Sequence, residues 1–343
     1  METSQELFDH YNGQEVTAFH LTNDNDVTVT VLSQGGIIRE ILLPNKAGKK
    51  QNILLAYPAT ADYYANPFYV NMMIGTAGGR IKQGKFTING KTTQVAPNEG
   101  QNTLHGGPNG FHSVNWHGEL ASSSEEATLT LKHHFPSTEK GDFPAMTVTT
   151  KYTLGNNNKL VVNFTAESEA PTIFNPTYHV YFNLSGEKSI RSQVLTLNSP
   201  HHMDVDSEKI PTGRLLDNHD TPFDFTSPTQ LGKALDEMQD TNEKGFDDIF
   251  EVIPDKNDDI ANLTDPQSKR EVTLQSKRNG LVVFTANSFT PDMNLTLGQG
   301  APYMGIALEA QNLSDATRFE NFGDTTLLPG ETKSYEIGYQ FKF

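Results

Sequence analysis

The stretch MTVTTKYTL (146–154), the break GNNN (155–158) and the run KLVVNFTAES (159–168) decide the fold class. In the first, Val148, Tyr152 and Leu154 fall at even spacing, and in the second Leu160, Val162 and Phe164 do the same. A period of two, enriched in Thr, Val, Tyr and Phe, reads as half-buried antiparallel strand. The glycine and asparagines between the runs are a turn signal. Two long strands joined by a tight turn are therefore expected here.

The same alternation recurs on both sides. Val27, Val29 and Val31 alternate with Thr28 and Thr30, and Leu129 and Leu131 repeat the spacing. At the end of the chain Tyr335, Ile337, Tyr339, Phe341 and Phe343 share a face opposite Glu336, Gln340 and Lys342. Asn89-Gly90 between FTI and KTT predicts a type I′ hairpin. Helical signals are confined to Thr229–Met238 and one turn at Ala59–Tyr64. Many short strands without intervening helices argue for an all-β sandwich or barrel rather than a βαβ fold. The polar stretch Asp255–Gln267 reads as a long surface loop. A length of 343 residues would suggest two domains at about 150 residues each, but large β units often run past 200. With no linker or composition shift, one β domain over 1–343 is expected.

Composition narrows the function. Cysteine is absent, which excludes disulfides, zinc-thiolate sites and a cysteine nucleophile. The polar, acidic N-terminus has no signal-peptide pattern, and no apolar run approaches the roughly 18 residues of a membrane span. The expected location is the cytoplasm. A formal charge of −16 repels nucleic-acid phosphates and anionic lipid headgroups, so neither is an expected partner. The charge fits a neutral small molecule without pointing to one. Monomer and homodimer both remain open.

Four segments combine glycine with polar and ionisable residues where a plain strand would not: GTAGGRI (75–81), NEGQNTLHGG (98–107), NPTYHVYFNL (175–184) and LEAQ (308–311). KGFDD (244–248) is a weaker fifth. His105 precedes two glycines, which let the backbone turn sharply and a ligand approach the ring. The alternative is a histidine in an exposed turn. His179 lies in a strand-like run among aromatic residues, whose burial would lower its pKa. The alternative is a satisfied core histidine. Glu309 follows an apolar run and is either solvent-exposed or held in a cavity; spacing alone favours exposure. Arg80, beside two glycines, could offer a fork of donors to sugar hydroxyls or a carboxylate, or lie free on the surface. Asp247 could equally belong to an ordinary turn.

Taken together, the ordered segments resemble the galactose mutarotase (aldose 1-epimerase) family, from about Val27 to the C-terminus. GGRIKQGKFTINGK, NEGQNTLHGGPNGF, NPTYHVYFNLSG, GFDD, ALEAQN and LLPGETKSYEIGYQF carry the likeness in that order. It implies a large antiparallel β-sandwich of the mutarotase-like supersandwich type, with a sugar in an open cleft. It further implies His179 as catalytic acid, Glu309 as catalytic base and His105 as a second active-site imidazole. Arg80 and Asp247 match substrate-binding positions, and Asn98 is expected to line the same cleft. The chain departs from the common pattern at Thr76, Gly79 and Thr103, where other members often carry Arg, Asn and His.

The implied reaction is ring opening of an aldose, with one group taking the C1 hydroxyl proton while another protonates the ring oxygen. Glu309 and His179 fit that task, with His179 expected protonated and Glu309 ionised. No cofactor is required. A glycoside hydrolase would need a second carboxylate. The same residues would also suit a non-catalytic sugar-binding module, or a metal site of His105, His179 and Glu309. Galactose, glucose and a reducing disaccharide such as maltose remain open as substrates.

Overall fold

Met146–Gly155 and Lys159–Ser168 form antiparallel strands across the GNNN turn, with Tyr152 opposite Val162 and Leu154 opposite Leu160. All six apolar residues that set the period are fully buried. Burial of each such large side chain contributes about 1.5–3 kcal/mol. The computed structural model describes residues 1–45, 47–137 and 141–343.

This strand pair belongs to a nine-stranded antiparallel sheet in which the C-terminal strand Thr332–Lys342 is central, between Lys159–Ser168 and Glu271–Gln275. Ile337, Tyr339 and Phe341 are buried there, whereas Phe343, past the strand end, is exposed. A five-stranded sheet runs from Glu2 to Asn52. A six-stranded sheet has the order Tyr181–Phe182, Ile306–Gln311, Gly280–Phe284, Asp247–Glu251, His201–Val205 and Pro211–Asp217. One apolar cluster joins the three sheets, with Phe19 and Val29 from the five-stranded sheet, Tyr152 and Ile337 from the nine-stranded, and Leu281 and Leu308 from the six-stranded. The architecture is the expected antiparallel β-sandwich.

Local expectations mostly hold. Asn89 (φ 51) and Gly90 (φ 77) turn the hairpin between Lys85–Ile88 and Lys91–Gln94, as a type I′ turn requires. Helices occupy Thr60–Tyr64 and Leu231–Glu237. The second starts later than expected because Thr229–Gln230 pairs with Val194–Leu195 at the sheet edge. The loop expected over Asp255–Gln267 is a correction. Asp259–Thr264 is a strand of the nine-stranded sheet, with Ile260, Ala261 and Leu263 buried. Flanking aspartates masked a short inward-facing run.

Candidate active site

A cleft opens on the face of the six-stranded sheet that points away from the central core. Strand alternation sorts the side chains. In Ile306–Gln311, Ile306, Leu308 and Ala310 join the core, whereas Glu309 lines the cleft. In Gly280–Phe284, Leu281 and Val283 face inward and Val282 and Phe284 line the cleft. Val282 sits directly opposite Glu309, and Asp247 opposite Phe284. Met203 and Ile249 extend the floor.

Glu309 is 1% exposed, so the exposed position favoured by spacing alone is overturned. A strand covered on both faces carries no amphipathic pattern, which is why spacing misplaced it. His179 is not within a regular strand. It stands in a break between the short strands Thr177–Tyr178 and Tyr181–Phe182. Its N–H donates to the Met72 carbonyl at 3.1 Å, and its carbonyl accepts from the Asn71 N–H at 2.9 Å. Its ring stacks on Tyr181 at 5.0 Å. These contacts bring His179 Nε2 to 3.3 Å from Glu309 Oε1, with His179 Nδ1 and Glu309 Oε2 buried and unpartnered.

Burial lowers the His179 pKa to about 4, against a smaller opposing pull from Asp247. Burial also raises Glu309 well above the carboxylate range; Asp247 adds to the rise and Arg80 opposes it. The imidazolium–carboxylate form expected from the sequence is therefore disfavoured by burial. The pair favours neutral imidazole beside carboxylic acid, which holds the same number of protons.

The segments carrying Arg80 and His105 are paired strands, with Arg80 opposite Leu104 and Ile81 opposite Thr103. His105 takes φ 52, followed by Gly106 at φ 83 and Gly107 at φ 75. A Cβ on Gly106 would lie 1.8 Å from the Gly75 carbonyl oxygen. That glycine admits neighbouring backbone rather than a ligand. The Gly79 N–H donates to His105 Nδ1 at 3.3 Å, which leaves Nε2 as the protonated nitrogen of the neutral ring. Burial and the neighbouring His179 hold His105 well below the ordinary imidazole pKa. Gly79 itself has φ 73, and a Cβ there would meet Ser314 Oγ at 2.1 Å. Of the other departures, the Thr103 hydroxyl donates to the Ala96 carbonyl at 2.9 Å, and Thr76 is buried in a different depression.

Arg80 and Asp247 both line the cleft. Arg80 is clamped by Glu99, and Asp247 is ion-paired with Lys209, which also reaches Glu243 at 2.9 Å. Asn98 does not line the cleft. Its carboxamide accepts from the Leu104 N–H at 2.7 Å and donates to the Leu104 carbonyl at 3.0 Å. It braces the His105 loop and also donates to the hydroxyl of the cleft-lining Tyr69 at 3.3 Å. Sequence reading missed Glu99, Lys209, Glu243 and the aromatic wall of Tyr69, Phe68 and Phe284. Glu99 adjoins the quoted Asn98, but nothing local marked it as the arginine's partner. The Tyr69 ring meets His105 edge-on at 5.0 Å.

Ligand atoms of His105, His179 and Glu309 all lie within 4.8 Å of one another. Two imidazoles and a carboxylate thus converge on the floor of a cleft whose sides offer charged hydrogen-bonding groups and aromatic faces. Such a site can hold a polar ring and move protons at one edge of it. A family model described as Aldose 1-epimerase matches residues 17–340.

The chain belongs to the aldose 1-epimerase family.

Maltose epimerase of Levilactobacillus brevis is 36% identical over 344 residues, covering 99% of both chains. Aldose 1-epimerase of Streptococcus thermophilus is 34% identical over 349 residues, again covering 99% of both. The crystal structure of galactose 1-epimerase from Lactobacillus acidophilus superposes with a TM-score of 0.86 at 27% identity, over 99% of this chain and 98% of that one. As a member of the aldose 1-epimerase family, the protein is an isomerase that interconverts the anomers of an aldose. No helix among the described residues is long and apolar enough to cross a membrane.

Proposed function

We propose that Glu309 is the base and His179 the acid of anomer interconversion, acting on an aldohexose held by Arg80, Asp247 and His105. The observation that carries this reading is the 3.3 Å approach of His179 Nε2 to Glu309 Oε1 on the cleft floor, where both side chains are almost wholly buried. Glu309 takes the proton of the C1 hydroxyl while His179 gives one to the ring oxygen. The C1–O5 bond breaks and the open-chain aldehyde forms. Rotation about C1–C2 presents the other carbonyl face. Reclosure, with Glu309 returning its proton and His179 regaining one, yields the opposite anomer.

Ring opening converts imidazolium and carboxylate into imidazole and carboxylic acid, the form that burial favours. The nearby positive charge of Arg80 works the other way, towards ionised Glu309. Acid and base at these positions each contribute about 10²–10⁴-fold. His105, with Nε2–H free, suits a hydroxyl or the ring oxygen as an added donor.

The aromatic lining of the cleft also favours a second ring beyond the reacting one. Phe68 and Phe284 offer apolar faces towards which a disaccharide could extend.

Polarimetry on freshly dissolved α-galactose, α-glucose and α-maltose tests the reading. Faster approach to equilibrium than in buffer is expected, unchanged by a metal chelator. Rates equal to buffer for every sugar would leave a sugar-binding module. Release of nitrophenol from a nitrophenyl glycoside would point to a hydrolase.

A further inference from the structure

We propose that Arg278 is a positioning residue that holds the His179 and Glu309 segments together through one guanidinium. This inference rests on the reading of His179 and Glu309 as acid and base. Arg278 Nη1 donates to the Pro176 carbonyl and Nη2 to the Ala310 carbonyl, the latter at 2.6 Å. Pro176 lies three residues before His179, and Ala310 follows Glu309 directly. The planar fork therefore fixes the separation of two backbone points, one beside each reacting side chain. An ammonium group, being a point charge, cannot reproduce that geometry.

The surroundings of Arg278 argue for a dedicated role. It is 4% exposed, and no carboxylate among the described residues pairs with it. A buried charge without a counter-ion is costly. Here the charge is met by the two carbonyls and by the Tyr335 ring, 4.9 Å from the guanidinium carbon, while Nε is buried without a hydrogen-bond partner. The His179 segment needs such a tie. After His179, Tyr181–Phe182 pairs with Ala307–Ile306 of the Glu309 strand. Before it, Thr177–Tyr178 lies against that strand but forms its ladder with Met73–Ile74 instead. Arg278 closes this side, with Asn175 and Asn312 adding paired hydrogen bonds of 2.9 and 3.0 Å further along.

Arg278 also lines a second surface depression, with Lys159, Asn163, Ser276 and Tyr335, separate from the sugar cleft. A small cation from solvent can reach the space that its truncation would leave.

The test uses the full chain, with mutarotation followed by polarimetry in wild type, Arg278→Lys and Arg278→Ala. Both variants are expected to fold, judged by circular dichroism. Their kcat should fall roughly ten- to hundredfold, the scale of a small misplacement of reacting groups, with KM within about twofold. Added guanidinium ion should restore part of the kcat of Arg278→Ala, and sodium at equal ionic strength should not. Wild-type kcat in either folded variant overturns the proposal. So do a change confined to KM, a loss that guanidinium does not reverse, or failure of both variants to fold. Absence of mutarotation in the wild type would instead sink the acid–base reading.

Discussion

Arg80 donates through Nε and Nη2 to the two carboxylate oxygens of Glu99, at 2.6 and 2.8 Å. This fork-to-fork contact uses two of the five guanidinium N–H groups and fixes the plane of a guanidinium that lines the cleft. On the proposed reading of Arg80 as a sugar-binding residue, Glu99 sets how the arginine meets the substrate.

Glu99→Gln should raise KM more than it lowers kcat. The Glu99 side chain is 40% exposed, so solvent screens the pair and its value is at most about 1 kcal/mol. A rise in KM of roughly two- to fivefold is expected, measured by polarimetry across a range of sugar concentrations. A kcat loss with KM unchanged would mean that Arg80 acts on the transition state alone.

Glu309→Gln and His179→Gln should each lower kcat by about 10²–10⁴-fold, the usual span for a general base or acid. Neither should lower the melting temperature sharply. Burial opposes charge at both positions and the pair favours its neutral form, so a neutral amide of similar size removes no stabilising ion pair. Residual mutarotation near the wild-type rate in either variant would remove that residue from the mechanism.

The sequence conveyed the sheets better than the site. Period-two runs such as Tyr152–Leu154 and Ile337–Phe341 exist because one sheet face is buried, and that cause acts residue by residue along the chain. Asp259–Thr264 was hidden because only a short apolar stretch interrupts an acidic segment. Glu309 was misplaced for the opposite reason: Ile306–Gln311 is buried throughout, so no contrast marks the face towards the cleft. The partnerships Arg80–Glu99 and Asp247–Lys209 depend on loops brought together by the tertiary fold. Local chemistry could nominate one member of each pair and not its partner. The order of motifs along the chain supplied what spacing could not, including the roles offered for His179 and Glu309.

Gly106→Ala should destabilise the protein and remove activity together. A methyl group would meet the Gly75 carbonyl carbon and oxygen at 2.4 and 1.8 Å. Both are backbone atoms, so relief requires moving a chain segment. The positive φ adds a cost of order 1 kcal/mol for a residue with a Cβ. A clear fall in melting temperature is expected, with kcat reduced in whatever remains folded because His105 shifts. Gly90→Ala is the control. That glycine has φ 77 but nothing within 4 Å of an added Cβ, so only the backbone cost applies, and activity should persist.

The pH dependence of kcat/KM should report the pair as a unit in the free enzyme. With His179 lowered to about 4, a further proton enters the pair only near that pH and removes its last proton acceptor. Activity should therefore fall as pH drops through about 4 rather than through the ordinary imidazole value of 6.5. Glu309 is raised above the carboxylate range, so loss of the pair's acidic proton should set an alkaline limb above that range. Stability follows the same shifts with opposite signs. The depressed His179 contributes stability that is fully present above 6.5 and lost as pH falls towards about 4. The raised Glu309 contributes stability that is present below the carboxylate range and lost as pH rises through its elevated pKa. Polarimetry at each pH, paired with circular dichroism to separate unfolding from titration, measures both. An acidic limb centred near 6.5 while the protein stays folded would show that His179 is solvated in solution, and would overturn the buried pair as the source of the profile.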